Sequence, residues 1–144
     1  MARNENPPFG RGETMFGAGG TTNTTDHLQW LGTVWEFEDL DYSVSPPTAR
    51  SARKVKCMVV QNVAGATLLP KRLVTFEQTG GPANIMAQID GYATVTAAAS
   101  AFPIDEFLPS TGVVANDIFY IVIEGPAMCL TDLAGADNNS ISAG

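Results

Sequence analysis

Histidine occurs once and cysteine twice in this 144-residue sequence, and charged side chains make up only 16% of it. Each scarcity closes off a class of chemistry. His27 stands alone and no Cys-x-x-Cys spacing occurs, so a structural zinc site has too few nitrogen and sulfur ligands. Cys57 and Cys129 lie far apart, each in an apolar strand-like run; buried free thiols are the expectation, and a disulfide across the core is the alternative. Eight Lys and Arg stand against 15 Asp and Glu, a net charge of −7. That balance argues against nucleic acid, because phosphate neutralisation needs a dominant cluster of cations. No apolar run is long enough to span a bilayer, and MARNENPPFG has no apolar signal-peptide region. A chain made in, and soluble in, a cytoplasm is expected, with no membrane partner.

Motifs for reaction chemistry are equally sparse. A nucleophile elbow, a phosphate-binding loop and a dinucleotide fingerprint are all missing; the Gly17–Gly20 cluster matches neither glycine motif. His27 has no Ser or Cys nucleophile pattern near it and reads as a surface or cap-adjacent imidazole. Glu36, Glu38, Asp39 and Asp41 lack the Asp-x-Asp-x-Asp-Gly spacing that bends a loop around calcium, and read as a solvated acidic edge. Asp105 and Glu106 are sequence neighbours, whose side chains point apart in extended chain. The expectation is a protein that is not an enzyme, with no catalytic residue, metal ligand or cofactor. The alternative is a small trimeric β-enzyme whose site is assembled between subunits.

What the sequence does contain is strand signal. In Asn116–Thr131, NDIFYIVIEGPAMCLT, Ile118, Tyr120 and Val122 alternate with Phe119, Ile121 and Ile123, so both faces of a strand are apolar and both need cover. Glu124-Gly125-Pro126 reads as a turn, making this stretch a hairpin at the heart of the core. Thr33–Asp39 sets Thr33, Trp35 and Phe37 against Val34, Glu36 and Glu38, a half-buried strand. Tyr42–Ala52, with Pro46-Pro47, reads as a loop. Strands follow over Val55–Asn62 and Leu73–Gln78, with weaker ones over Ile85–Ile89 and Tyr92–Ala97 joined by a hairpin turn at Asp90-Gly91. Phe102, Ile104 and Phe107 are expected to plug one end of the core. The fold class is therefore all-β, a small antiparallel barrel or sandwich with an extended N-terminal arm. The expected division is an arm over 1–25, a β-domain over 26–132 and a tail over 133–144.

The arm is rich in Gly, Thr, Asn and Pro and reads either as a disordered tail or as an arm whose Phe9 and Phe16 anchor in grooves of a neighbouring subunit, with Arg11 as a polar contact. Arg50, Arg53, Lys54 and Lys56 supply half of the cations within seven positions; they read as a solvated rim or as a docking patch for an acidic partner surface. A charged fraction well below the ~25% of ordinary domains suits either a protein packed against others or a low-charge soluble domain.

Three runs, LGTVWEFEDLD, KVKCMVVQNVAGATLLPKRLVTF and GVVANDIFYIVIEGPAMCLTD, together resemble the capsid decoration, or cement, proteins of tailed bacteriophages. The likeness spans roughly residues 31 to 131. It implies a β-rich homotrimer on the outer capsid surface of the virion, bridging neighbouring major capsid proteins and reinforcing the shell. A tail or fibre module is the alternative location. Phe9, Arg11, Phe16, Arg50, Arg53 and Lys54 are then the candidate contacts to the capsid or a neighbouring subunit.

Overall fold

The computed structural model describes residues 6–15, 30–76, 87–93 and 101–130. Six strands make up its secondary structure: β1 Val34–Asp41, β2 Thr48–Asn62, β3 Leu73–Phe76, β4 Gln88–Tyr92, β5 Phe102–Pro103 and β6 Ile118–Glu124. The protein is all-β, as expected. The fifteen residues of β2 form its spine. Val59 donates to Thr33 beside β1, whereas Gln61 and Val63 donate to Ala87 and Ile89 around β4, and Asn62 donates the opposite way to Asp117. One edge of β2 thus serves antiparallel β1 and then parallel β4, while the other edge carries antiparallel β6.

From β4 the sheet continues through β3 to β5. It returns to β6 only by the isolated Ile104–Ile121 bridge, where Asp105 N–H donates to Tyr120 O at 3.1 Å. The sheet is mixed rather than purely antiparallel, and among the described residues it does not close into a barrel. The β2–β4 pair is parallel, and a single bridge stands where a closing ladder would be needed.

The two-sided apolar pattern of β6 is met by two cores. Phe119 and Ile121 pack with Val60, Leu68, Val74, Ile89, Ile104 and Val113. On the other face Ile118, Tyr120 and Val122 pack with Val55, Cys57 and Val59. Trp35 and Phe37 of β1 back this second core, as their alternation predicts, and its lid is Phe9. Burial of each large side chain contributes about 1.5–3 kcal/mol, so the face that Phe9 covers is a substantial part of the fold.

Four local expectations are corrected. The return strand after Gly125 does not form, because the outer edge of β6 is already taken by bridges from Met15 to Ile118 and from Ile104 to Ile121. Instead Leu130 N–H donates to Lys71 O at 2.7 Å. Gly125 does turn the chain, at φ 99°, and an added Cβ would collide with Lys54 O. Asp90-Gly91 is not a hairpin turn; both residues lie inside β4, at a register shift opposite Thr75 and Phe76. β2 begins at Thr48, inside the expected loop. Residues 6–15 are not an arm apart from the domain but part of its second core.

Ile104 is fully buried and Phe102 packs against the first core, but Phe107 lies elsewhere. Both cysteines are free thiols, Cys57 buried and Cys129 half-buried. At the end of β2, Asn62 is fully buried; its Nδ2 donates to the carbonyls of Ala66, Val113 and Val114, and its Oδ1 accepts from Ala64 N–H. One side chain thus ties two loop segments, 64–66 and 113–114, to the end of β2. His27 and Phe16 lie outside the described residues.

Candidate docking surface: an exposed hairpin and its ionic anchor

Every residue from Ser43 to Lys54 is exposed, yet Thr48–Lys54 are strand. Hydrophobic burial does not hold this hairpin in place. Its register explains what does. Glu38 faces Lys54 and Leu40 faces Ala49, so Asp39 alone stands against the four residues 50–53. That bulge turns Arg50 inwards, where its Nη2 lies 2.8 Å from Asp39 Oδ1 and 2.7 Å from Glu106 Oε1. Nε and Nη1 add bonds to the same two carboxylates at 3.1 and 3.2 Å. Ser51 Oγ donates to the other Asp39 oxygen at 2.6 Å.

The anchor extends into the N-terminal segment. Arg11 is fully buried at its side chain and donates from Nη2 to Asp105 Oδ1 at 3.1 Å. Gly12 N–H donates to Asp105 Oδ2 at 2.6 Å and Phe107 N–H to Oδ1 at 3.2 Å. Gly12 sits at φ 83°, and a Cβ there would meet Phe107 O. The Phe107 ring has Arg11 at 4.8 Å and Arg50 at 5.2 Å from its centroid, with Tyr42 edge-on at 5.2 Å. Two cations, three carboxylates and one aromatic ring therefore join the N-terminal segment, the hairpin and the 105–107 corner. Among the described residues no group accepts from Arg11 Nε or Nη1.

The electrostatics are those of an anchor. The Ser51 hydroxyl and the Arg50 guanidinium hold the Asp39 carboxyl below the usual carboxylate range against the opposing effect of burial. Hydrogen bonding to Glu106 and then Asp39 raises the Arg50 pKa. A carboxylate with lowered proton affinity, already shared with Arg50, is a poor general base for the Ser51 hydroxyl it accepts from.

The outer surface of the hairpin differs. Lys54 lies 3.6 Å from Glu38 and Lys56 lies 3.3 Å from Glu124, with all four side chains at least 44% exposed. Such pairs contribute about 0–1 kcal/mol and are easily exchanged for partners on another surface. Lys54, Lys56 and Glu124 line a shallow depression with Glu36, Arg53 and Gly125, and Arg53 has no ion pair with a described residue.

Of the sequence-derived candidates, Arg53 and Lys54 fall on this exposed surface. Arg50 belongs mainly to the anchor. Phe9 and Arg11, expected to contact a neighbouring subunit or the capsid, are here enclosed by their own chain: Phe9 stacks on Tyr120 at 4.2 Å and Arg11 pairs with Asp105. Phe16 lies outside the described residues. The anchor residues Asp39, Ser51, Asp105, Glu106 and Phe107 were not anticipated as a group; Asp105 and Glu106 do point apart, each to a different arginine. Comparison with protein-family models, with curated proteins and with solved structures returns no match.

Proposed function

We propose that this chain is a virion structural protein, a capsid decoration or cement protein. It docks on the outer surface of a tailed-phage head as a homotrimer and bridges neighbouring major capsid proteins. The reading rests on the sequence resemblance, and the observation that carries it is the exposed hairpin. A run from Ser43 to Lys54 that buries no apolar side chain, yet is fixed by Arg50 to two carboxylates, is an arrangement suited to presenting a surface to another protein. Its cations also stand out on a chain of net charge −7. Binding only to the assembled lattice would stabilise the shell by mass action, and many modest contacts would add through multivalency.

The test is co-sedimentation of the purified full chain with assembled heads that lack it, beside the variant carrying Arg53→Glu and Lys54→Glu. The wild-type chain should pellet with heads, and charge reversal should weaken binding about tenfold or more without unfolding the protein. A wild-type chain that ignores heads would refute the capsid reading. Equal binding by both chains would remove the hairpin from the contact. Pelleting with isolated tails instead would move the protein to the tail.

A further inference from the structure

We infer that the outer edge of β1, from Val34 to Glu38, is a strand-docking site for an extended protein segment in which basic and apolar residues alternate. The inference concerns this edge alone and does not rest on the capsid reading. β1 ends the strand order of the sheet, so among the described residues only its inner side is paired. Antiparallel pairing alternates between residues that bond across the ladder and residues whose N–H and C=O point away from it. Val59 N–H donates to Thr33 O, which fixes the phase: Trp35 and Phe37 bond across to β2, and Val34, Glu36 and Glu38 direct their backbone groups outwards. Among the described residues no backbone bond reaches Val34 or Glu36 on that side. Glu38 O accepts from the Tyr42 hydroxyl at 3.2 Å, and the register shift between Glu38 and Leu40 ends the usable edge.

The side chains decide what fits there. Val34, Glu36 and Glu38 are exposed on one face, and Trp35 and Phe37 are half-buried on the other, against the second core. Across the exposed face the charges alternate in rows: Glu38 lies opposite Lys54, and Glu36 lies opposite Lys56, which in turn faces Glu124. Lys54 is 3.6 Å from Glu38, but Lys56 is 3.3 Å from Glu124, and Glu36 has no ion pair among the described residues. A strand added outside β1 with a cation beside Glu36 and another beside Glu38 extends both rows and supplies the counter-charge that Glu36 lacks. Apolar residues between those cations would cover the open sides of Trp35 and Phe37. The inner neighbour already has this chemistry, since the run KVKCM of β2, Lys54 to Met58, lies opposite Glu38 to Val34. The same charges select against a second copy of this edge. Two β1 strands overlapped antiparallel over Val34–Glu38 would set Glu36 against Glu36.

The test uses the full chain, isotope-labelled, and a capped peptide, Lys-Val-Lys-Ala-Met, whose first residue falls opposite Glu38 and whose fifth falls opposite Val34. Peptide is added at millimolar concentration, and amide shifts and hydrogen exchange are read together. In the free protein the Val34 and Glu36 amides should exchange fast and those of Trp35 and Phe37 slowly. At half-saturation the first two should slow about twofold, because only the free half exchanges. Methylating the backbone nitrogen of the third peptide residue, which faces Glu36 O, should abolish binding; methylating that of the second, which faces away, should not. Glu36→Lys changes an exposed side chain and should weaken this peptide about fivefold or more while favouring Lys-Val-Glu-Ala-Met. Absence of shifts along β1, shifts without slowing of the Val34 and Glu36 amides, equal effects of the two methylations, or an unchanged peptide preference in Glu36→Lys would each overturn the inference. So would protection of those amides by a rise in protein concentration alone, which would make the occupant a second copy.

Discussion

Replacing Asp105 by Asn is expected to be among the most damaging single-atom changes available in this fold. Its carboxylate is fully buried and accepts from Arg11 Nη2, Gly12 N–H and Phe107 N–H. Asparagine keeps the shape but turns one oxygen into an NH₂ group, which must then face either Gly12 or the Arg11 and Phe107 donors. At least one hydrogen bond becomes a donor–donor contact, and the Arg11 cation loses the one carboxylate that it pairs with among the described residues. Breaking a buried pair from one side in this way costs about 3–5 kcal/mol. For a chain of this length each kcal/mol lowers the melting temperature by about 3 °C, so a loss of about 10 °C or more is expected. Arg11→Met should cost less, because Arg11 Nε and Nη1 already lack acceptors and Asp105 keeps two backbone donors. The double variant should cost less than the sum of the two but more than Arg11→Met alone, because the asparagine NH₂ still meets the Gly12 or the Phe107 N–H. Urea unfolding of the four proteins, with the denaturant slope checked for constancy, measures the cycle. An Asp105→Asn cost below about 1 kcal/mol, or strict additivity, would refute the account of Asp105 as the counter-charge to a buried cation.

Asn62→Ala should cost about 3 kcal/mol in urea unfolding, since it strands a buried N–H and several carbonyls at once; a cost within ~0.5 kcal/mol would mean that water replaces the amide. Burial pushes the Cys57 thiol up to about 12, whereas Cys129 is only half-buried, so a thiol reagent at pH 8 should label Cys129 in the native protein and Cys57 only on unfolding. Native labelling of Cys57 would show that residues 6–15 and β1 do not seal the second core. The same raised value means that the Cys57 contribution to stability is complete below the unfolded thiol pKa and is lost as pH rises from about 9 towards 12. Asp39 works in the opposite direction. Its folded pKa is lowered, so its contribution is present above the unfolded value of about 3.9 and is lost as pH falls through the folded one. Urea midpoints should hold from neutral pH to about 5 and then drop, less steeply in Asp39→Asn; an unchanged acid slope in that variant would assign the drop to other carboxylates.

The parts of this fold legible in the sequence are those where one strand's own residues set the outcome. Ile118–Ile123 is apolar at both parities, which requires two cores, and two cores form. Trp35 and Phe37 alternate with Glu36 and Glu38, and β1 buries the aromatic side. Thr48–Ala52 reads as loop in the sequence because a strand exposed on both faces has no hydrophobic period; only pairing with β1 and the Arg50 bonds define it. The missing return strand after Gly125 could not be anticipated, since what prevents it is the occupancy of the β6 edge by Met15 and Ile104. Nothing in the run Gln61-Asn62-Val63 marks Asn62 as a buried connector rather than a polar strand end. The anchor was invisible for the same reason: Arg11 and Asp105 meet across 94 positions, and no local pattern records such a pairing.

The geometry of the anchor ties the N-terminal segment to the hairpin. Arg11 arrives on residues 6–15 and Arg50 on the hairpin, and both guanidinium groups lie against the same Phe107 ring, dividing the two carboxylates that precede it: Asp105 to Arg11, Glu106 to Arg50. Neither arginine can be removed without changing the charge and packing around the other, so the placement of the exposed hairpin and the seating of the N-terminal segment draw on one set of charges at the 105–107 corner rather than two.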